Sequence, residues 1–334
     1  MSFPSDPIAA VTHPDPYPYY EHLVAEKPFE RDERLGLWVA ASAEAVTAVL
    51  TSEICRVRPP AEPVPKALLG SSAADIFGRL VRMTDGPGQQ TLKRTVTTTL
   101  EGFDAAGPSR EWARRLPAEP AEIAFRLPAY VIGSLLGVPP DDLPLLSRLV
   151  DDFAPALAPG SLPEQVERGR EAAGQLLDLF RSLSGFEDDV TRANAIGFLF
   201  QAYDSTAGLI GNTLLALATP TENLHQTLLD VIRYDPPVQN TRRFVARDGI
   251  LAGRALKAGD AVLVLLAAAN RDPAGNLFTF GTGPHACPGE TLAITIAQAG
   301  IEALLRAGID LEGLAENVTY RPSANTRIPV FSIQ

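Results

Sequence analysis

The chain of 334 residues can hold two ordinary domains or one large one, and its 46% of apolar residues is enough for a sizeable core. A formal net charge of −11 argues against a nucleic-acid binder, since phosphate contacts need clustered Lys and Arg, so no such partner is expected. Cys55 and Cys287 are the only cysteines, which excludes a disulfide framework and a cysteine-based zinc site.

The first twenty residues are rich in proline and carry two aspartates, Asp6 and Asp15. They have neither the basic segment nor the apolar core of a signal peptide, so a cytoplasmic protein without a membrane anchor is expected. Short helices are predicted at 18–27 and 42–51, flanking a strand-like Leu35–Ala40. Arg56–Pro65 holds four prolines and reads as a loop. Helical patterns follow over 71–82, 87–101, 118–136 and 140–157, broken by Gly102, Gly107, Pro108, Pro139 and Pro140. A charged amphipathic helix fits 163–184.

Residues 192–217 form a long helical stretch, about 40 Å at ~1.5 Å per residue. It is apolar enough to raise the question of a membrane span, but Asn194, Gln201, Asp204 and Asn212 interrupt it, and a buried helix is the better reading. A further helix at 221–234 ends at Asp235-Pro236-Pro237. The chain then becomes β-rich, at 244–246, 261–266, 318–320 and 328–333. With no internal repeat, this gives a mainly α chain forming one domain over 1–334.

The stretch Phe278 to Gly289 carries the most chemistry. Three glycines and two prolines within Phe280–Gly289 suit a tight loop whose N–H groups turn toward one point. Apolar residues at Leu292, Ile294, Ile296, Ile301, Leu304 and Leu305 predict a buried helix after it, with Gly308 as its stop. A sulfur at Cys287 meets loop amides and the positive end of the helix dipole, which favour the thiolate. Such a thiolate suits a nucleophile or a metal ligand.

Phe280-Gly281-x-Gly283-x-His285-x-Cys287-x-Gly289 resembles the heme-binding loop of the cytochrome P450 family, the heme-thiolate monooxygenases. The resemblance implies the P450 fold, a helical prism with small β-sheets around a buried heme b. It implies Cys287 as the ligand of the heme iron, with Phe280, Gly281 and Gly289 shaping the loop. His285 and Arg243 are implied as partners of the heme propionates, with Arg242 as the alternative to Arg243. A third propionate partner usually comes from an H-x-x-x-R helix after a proline turn. Here the turn is Thr84-Asp85-Gly86-Pro87, and the matching positions are Gln89 and Lys93, with Arg94 as a substitute. Gln89 is a neutral donor, so this propionate is expected to be held less firmly.

Within Gln201-Ala202-Tyr203-Asp204-Ser205-Thr206-Ala207-Gly208 the family places an acid–alcohol pair that relays protons. The match puts Asp204 in the acid position and Ser205 in the alcohol position, with Thr206 as an alternative source of the hydroxyl. The family more often has glycine and threonine where Ala202 and Ser205 stand. The competing structural reading is a helix bent by Ser and Thr bonding back to carbonyls. Asp230-Val-Ile-Arg233, followed by Tyr234-Asp-Pro-Pro-Val-Gln-Asn-Thr-Arg-Arg243-Phe, resembles the family's Glu-x-x-Arg helix. The resemblance implies an Asp230–Arg233 ion pair, joined by a second arginine, that supports the cysteine loop.

Length is the largest departure. Four residues separate Asn270-Arg271-Asp272-Pro273 from Phe278, where the family has a longer meander carrying that second arginine. The spans 184–192 and 204–230 are also short, so the fold is expected to be trimmed in the meander and around its central helix. Tyr17, Tyr19 and Tyr20 read as packing and Cys55 as an ordinary thiol. His13, His22 and His225 lack metal-ligand spacing. No Gly-x-Gly-x-x-Gly follows a strand, so a built-in nicotinamide or flavin domain is not expected.

The leading functional expectation is a soluble bacterial heme-thiolate monooxygenase of secondary metabolism. It would hydroxylate a small or medium organic molecule as a monomer, with electrons from a separate ferredoxin and its reductase. Residues 57–83, the helices at 140–184 and the strand after Asn240 would line its substrate pocket. The first alternative is a heme-thiolate isomerase, dehydratase or nitrogen-group transferase independent of redox partners, which the missing meander favours. The second is a non-catalytic relative that recruits a partner protein.

Overall fold

The computed structural model describes residues 3–158, 160–219, 223–316 and 318–331. In chain order they form α1 (Tyr17–Glu26), β1 (Phe29–Asp32), β2 (Leu37–Ala40), α2 (Ala43–Leu50), β3 (Cys55–Arg56), α3 (Ser72–Arg79), α4 (Pro87–Glu101) and α5 (Ala106–Arg115). Then follow α6 (Pro120–Leu135), α7 (Leu143–Ala156), α8 (Pro163–Arg181), α9 (Asp189–Leu217) and α10 (Leu224–Tyr234). The strands β4 (Thr241–Val245), β5 (Gly249–Leu251), β6 (Arg254–Leu256) and β7 (Ala261–Val264) come next. The chain ends with α11 (Leu266–Ala269), α12 (Glu290–Arg306), α13 (Leu311–Glu316), β8 (Val318–Tyr320) and β9 (Pro329–Phe331). Two units emerge, one from the described parts of Met1–Ala61, Gly211–Cys287 and Asp310–Gln334, the other from Glu62–Ile210 and Pro288–Ile309.

Strand periodicity organises the first unit. Its sheet runs β1-β2-β7-β4-β3, parallel between β2 and β7 and antiparallel elsewhere. β7 is apolar on both faces because both are covered. Val262 and Val264 join a core with Ala40, Val49, Cys55, Val245 and Phe278, while Leu263 and Leu265 join Tyr20, Leu23, Val39 and Ala41 on the other side. Ser42 caps α2, its hydroxyl accepting from the Ala45 N–H at 3.2 Å.

The C-terminal segment is fastened to this unit by Arg327, whose side chain is 2% exposed. Its guanidinium donates to the carbonyls of Val11 at 3.2 Å, His13 at 2.7 Å and Pro14 at 3.0 Å. The Tyr17 hydroxyl donates to the Asp235 carboxylate. The tyrosine cluster therefore packs, as expected, but it also serves a buried ionic centre.

In the second unit α7 packs along α8, and α12 packs against α5 and α6. α12 buries Ile296, Ala297, Ile301 and Leu304. Val81, Val96 and Leu100 form a cluster with Leu92, Phe103, Phe198 and Leu292, joining α4 to α9 and α12. The polar residues of α9 have work to do. Asn194 accepts from the Val81 N–H at 2.9 Å and donates to the Arg79 carbonyl at 3.1 Å. None of the helices among the described residues is long and apolar enough to cross a membrane.

Several expected boundaries shift. Gly107 and Pro108 do not break the chain but lie in the first turn of α5, where a missing N–H costs no helical bond. β1 and the β5–β6 hairpin were not anticipated, being short and polar or glycine-flanked. Helix 87–101 is found as expected. Residues 221, 222, 332 and 333, at the ends of two expected elements, lie outside the described residues.

Candidate functional site

The cysteine loop belongs to the first unit, and the end of α10 anchors it. A helix leaves its last carbonyls without intrahelical partners. Here the Ile232 carbonyl accepts from Thr279 Oγ1, the Arg233 carbonyl from Asn270 Nδ2 at 3.1 Å, and the Tyr234 carbonyl from an Arg271 Nη at 2.6 Å. Asn270, 2% exposed, also donates to Thr279 Oγ1 at 2.7 Å and accepts from the Phe278 N–H at 2.6 Å. One side chain thus closes the short link that replaces the meander. Asp272 holds its middle, accepting from the N–H of Ala43 at 2.9 Å and of Ala274 at 3.0 Å.

Beyond Thr279 the loop turns on two left-handed glycines, Gly281 at φ +70° and Gly283 at φ +68°. The Gly281 N–H donates to the Phe278 carbonyl at 2.7 Å, and the Cys287 N–H returns to the Phe280 carbonyl at 2.7 Å. Two of the loop's N–H groups are thereby bonded within it, and the Cys287 residue is exposed. His285 is half-buried in the same loop.

Register separates the two candidate arginines on β4. Arg243 lies opposite Val262, on the face whose core includes Phe278, whereas Arg242 lies opposite Leu263 on the other face. Arg243 is 8% exposed and donates to the Arg242 carbonyl at 2.8 Å. Arg243 is therefore the residue on the same side of the sheet as the cysteine loop.

The expected Asp230–Arg233 ion pair is not formed. Asp230 is exposed and its carboxylate accepts from Gln226 Nε2 at 2.9 Å, one turn back along α10. Aspartate, a methylene shorter than glutamate, stays on its own surface, and the link from Asn270 to Phe278 is too short to bring up the meander's arginine.

The remaining candidates lie in the second unit. Gln89 on α4 is buried at 2% exposure, Lys93 is half-buried, and Arg94 is exposed and leans toward Thr91 Oγ1 at 3.5 Å. Gly289 caps the start of α12, whose Leu292 shares a cluster with α4 and α9. On α9, Asp204 and Ser205 are half-buried and Thr206 is fully buried. Ser205 Oγ donates to the Gln201 carbonyl at 2.9 Å, so the backbonding read as an alternative does occur there. Thr206 Oγ1 has no hydrogen-bond partner.

Asn270, Thr279 and Arg271 were not singled out from the sequence as support for the loop. The signal available was an apolar run ended by Asn-Arg-Asp-Pro, which marks a chain reversal but does not name its partners.

No protein-family model matches the chain. It is 31% identical over 292 aligned positions to Protein DesVIII of Streptomyces venezuelae, taking in 80% of this chain and 69% of that protein. The cytochrome P450 monooxygenase PikC of the same organism is 28% identical, over 89% of this chain and 85% of PikC. The chain belongs to the cytochrome P450 family.

As a P450 it is an oxidoreductase by family. The alignment with PikC extends over 366 positions, more than the 334 residues here, so the relative carries stretches that this P450 lacks. A putative cytochrome P450 133B2 of Xylella fastidiosa, 28% identical, is matched over 58% of its length. The solved structure of P450BioI in complex with a hexadec-9Z-enoic acid ligated acyl carrier protein shares the fold at TM-score 0.78 and 22% identity, over 94% of this chain and 96% of that one. CalO2 does so at TM-score 0.76 and 24% identity, over 99% of both.

Heme is the family's cofactor, and the donor set fits it. The first unit offers an exposed cysteine on a loop closed by the Cys287 N–H on the Phe280 carbonyl, with a guanidinium on the adjoining sheet face suited to bidentate carboxylate binding.

Proposed function

We propose that this P450 is a heme-thiolate monooxygenase that hydroxylates a small or medium organic molecule of bacterial secondary metabolism. Heme b would be its cofactor, and electrons would come from a separate ferredoxin and ferredoxin reductase. Residues 1–334 would act as one heme-thiolate domain in a cytoplasmic monomer. The kinship with PikC, named a monooxygenase, supports the reaction type. The observation that carries the reading is the loop closed by the Cys287 N–H on Phe280, which leaves Cys287 exposed.

When bound, the heme supplies dioxygen activation, favoured by electron density from a thiolate ligand. The chain's own residues have separate tasks. Cys287 serves deprotonated, its thiolate favoured by loop amides and the start of α12. Arg243 and His285 would hold propionate oxygens, a guanidinium being suited to a carboxylate. The resemblance would have Gln89 contribute an uncharged donor, with Lys93 supplying positive charge and Arg94 its substitute. Asp204 takes up and releases protons, and Ser205 passes them on after its hydroxyl turns away from the Gln201 carbonyl.

The test is a reduced-plus-CO difference spectrum of the heme-loaded protein. A Soret band at about 450 nm that Cys287→Ala abolishes is expected of thiolate ligation. A wild-type protein that takes up no heme would overturn the reading.

A further inference from the structure

The family's ion-pair support for the cysteine loop is absent here, since Asp230 bonds to Gln226 and the link after Pro273 is short. The loop is nevertheless held. Three successive carbonyls at the end of α10 are taken by side chains of the segment that leads into it, from Thr279, Asn270 and Arg271. Asn270 and Thr279 are buried and bonded to one another. Thr279 lies between Phe278 and Phe280, whose carbonyls accept the N–H groups of Gly281 and Cys287. A displacement of Thr279 is thereby transmitted to Cys287 through one residue and one hydrogen bond.

We propose that Asn270 and Thr279 are the positioning residues for the Cys287 thiolate, doing with neutral side-chain-to-carbonyl bonds what an ion pair and a meander arginine do elsewhere in the family. The inference rests on the heme-thiolate reading. Both residues act through the loop and neither touches the reacting atoms. Neutral buried bonds are hardly screened by salt, so the position of Cys287 is insensitive to ionic strength.

The experiment compares wild type, Thr279→Val, Thr279→Ser and Asn270→Asp after heme loading, with circular dichroism and heme stoichiometry taken alongside the CO spectrum. Valine keeps the shape of threonine but strands the Ile232 carbonyl and the Asn270 amide, whereas serine keeps the hydroxyl. Asn270→Asp keeps the acceptor for Phe278 and removes both donated bonds.

The expected result is a fall of about tenfold in the ratio of the ~450 nm to the ~420 nm band in Thr279→Val and Asn270→Asp at unchanged helicity, with Thr279→Ser near wild type. If Thr279→Val does not fold, Asn270→Asp set against Thr279→Ser makes the same comparison. A Thr279→Val protein that is folded, fully loaded and wild-type in its band ratio overturns the proposal while leaving the heme-thiolate reading intact. A wild-type protein without the ~450 nm band overturns both.

Discussion

Arg327 donates through Nε to the Asp235 carboxylate at 3.1 Å, joining the last strands to the residue that follows α10. Its charge is also faced by aromatic rings, with the guanidinium 3.7 Å from the Tyr320 ring centroid. Burial pushes Asp235 up from its ordinary value, opposed by Arg327 and by the Tyr17 hydroxyl. Asn212, on the far part of α9, donates to the Asp235 carbonyl at 2.9 Å. The centre therefore secures the N-terminus, the start of the chain after α10 and the C-terminal strands of one unit.

Breaking it should be costly. Arg327→Met leaves the half-buried Asp235 carboxylate without its cation and three carbonyls without their donor, and a loss of about 3–5 kcal/mol in denaturant unfolding is expected. Arg327→Lys should recover less than half of that, because an ammonium cannot reproduce the planar array of donors. A Met variant within about 1 kcal/mol of wild type would show the centre to be dispensable.

Alkaline pH should strain the same region. Burial, with Asp6 and Asp32 nearby, pushes Tyr19 up to about 12 from a usual value of 10.0. Burial likewise raises Tyr17, Tyr20 and Tyr320. The native state then holds protons that the unfolded chain releases. The stability these phenols contribute is full below about pH 10 and is lost as pH rises through their folded values. Tyrosinate absorbance followed with circular dichroism should show these groups ionising together with unfolding. Full ionisation near pH 10 in a folded protein would contradict this.

What could be read from the sequence divides along physical lines. The cysteine loop was legible because its determinants are contiguous, with two glycines able to take positive φ and a helix start beside one sulfur. Arg243 was preferred to Arg242 on the resemblance alone, and the register of β4 against β7 adds that the two lie on opposite faces. Asn270 and Thr279 were hidden because their partners are backbone carbonyls 37 and 47 residues away. A bond from a side chain to a main-chain oxygen leaves no complementary residue type to recognise. The Asp230–Arg233 pair failed for the opposite reason, since suitable residue types at helical spacing do not ensure contact on an exposed face.

Gly281 tests the loop geometry directly. Its φ of +70° is a conformation that L side chains rarely adopt, and an added Cβ would sit 3.5 Å from the His285 carbonyl oxygen. The contact is ordinary, so the backbone conformation sets the cost of Gly281→Ala, about 1–2 kcal/mol. The variant should stay folded and lose part of its ~450 nm band, while alanine at Gly88 or Gly107, where an added Cβ meets nothing within 4 Å, should leave the spectrum unchanged. Equal effects at all three positions would deny the loop any special geometry.

Ser205 and Thr206, adjacent on α9, make opposite predictions. Thr206 is fully buried with no partner for its Oγ1, so Thr206→Val replaces an unsatisfied polar group by an apolar one of the same shape. Stabilisation by about 1 kcal/mol is expected, with product formed per NADPH consumed close to wild type. Ser205 is half-buried and bonded only as far as the Gln201 carbonyl, a bond that a rotation of its side chain breaks and a proton transfer can use. Ser205→Ala should leave stability within about 0.5 kcal/mol of wild type and, if Ser205 serves the proposed relay, lower product per NADPH by about tenfold while electron uptake continues. Solvent isotope effects on turnover should change in Ser205→Ala and not in Thr206→Val. The reverse pattern would assign the alcohol of the relay to Thr206 and leave Ser205 as the residue that bends the helix.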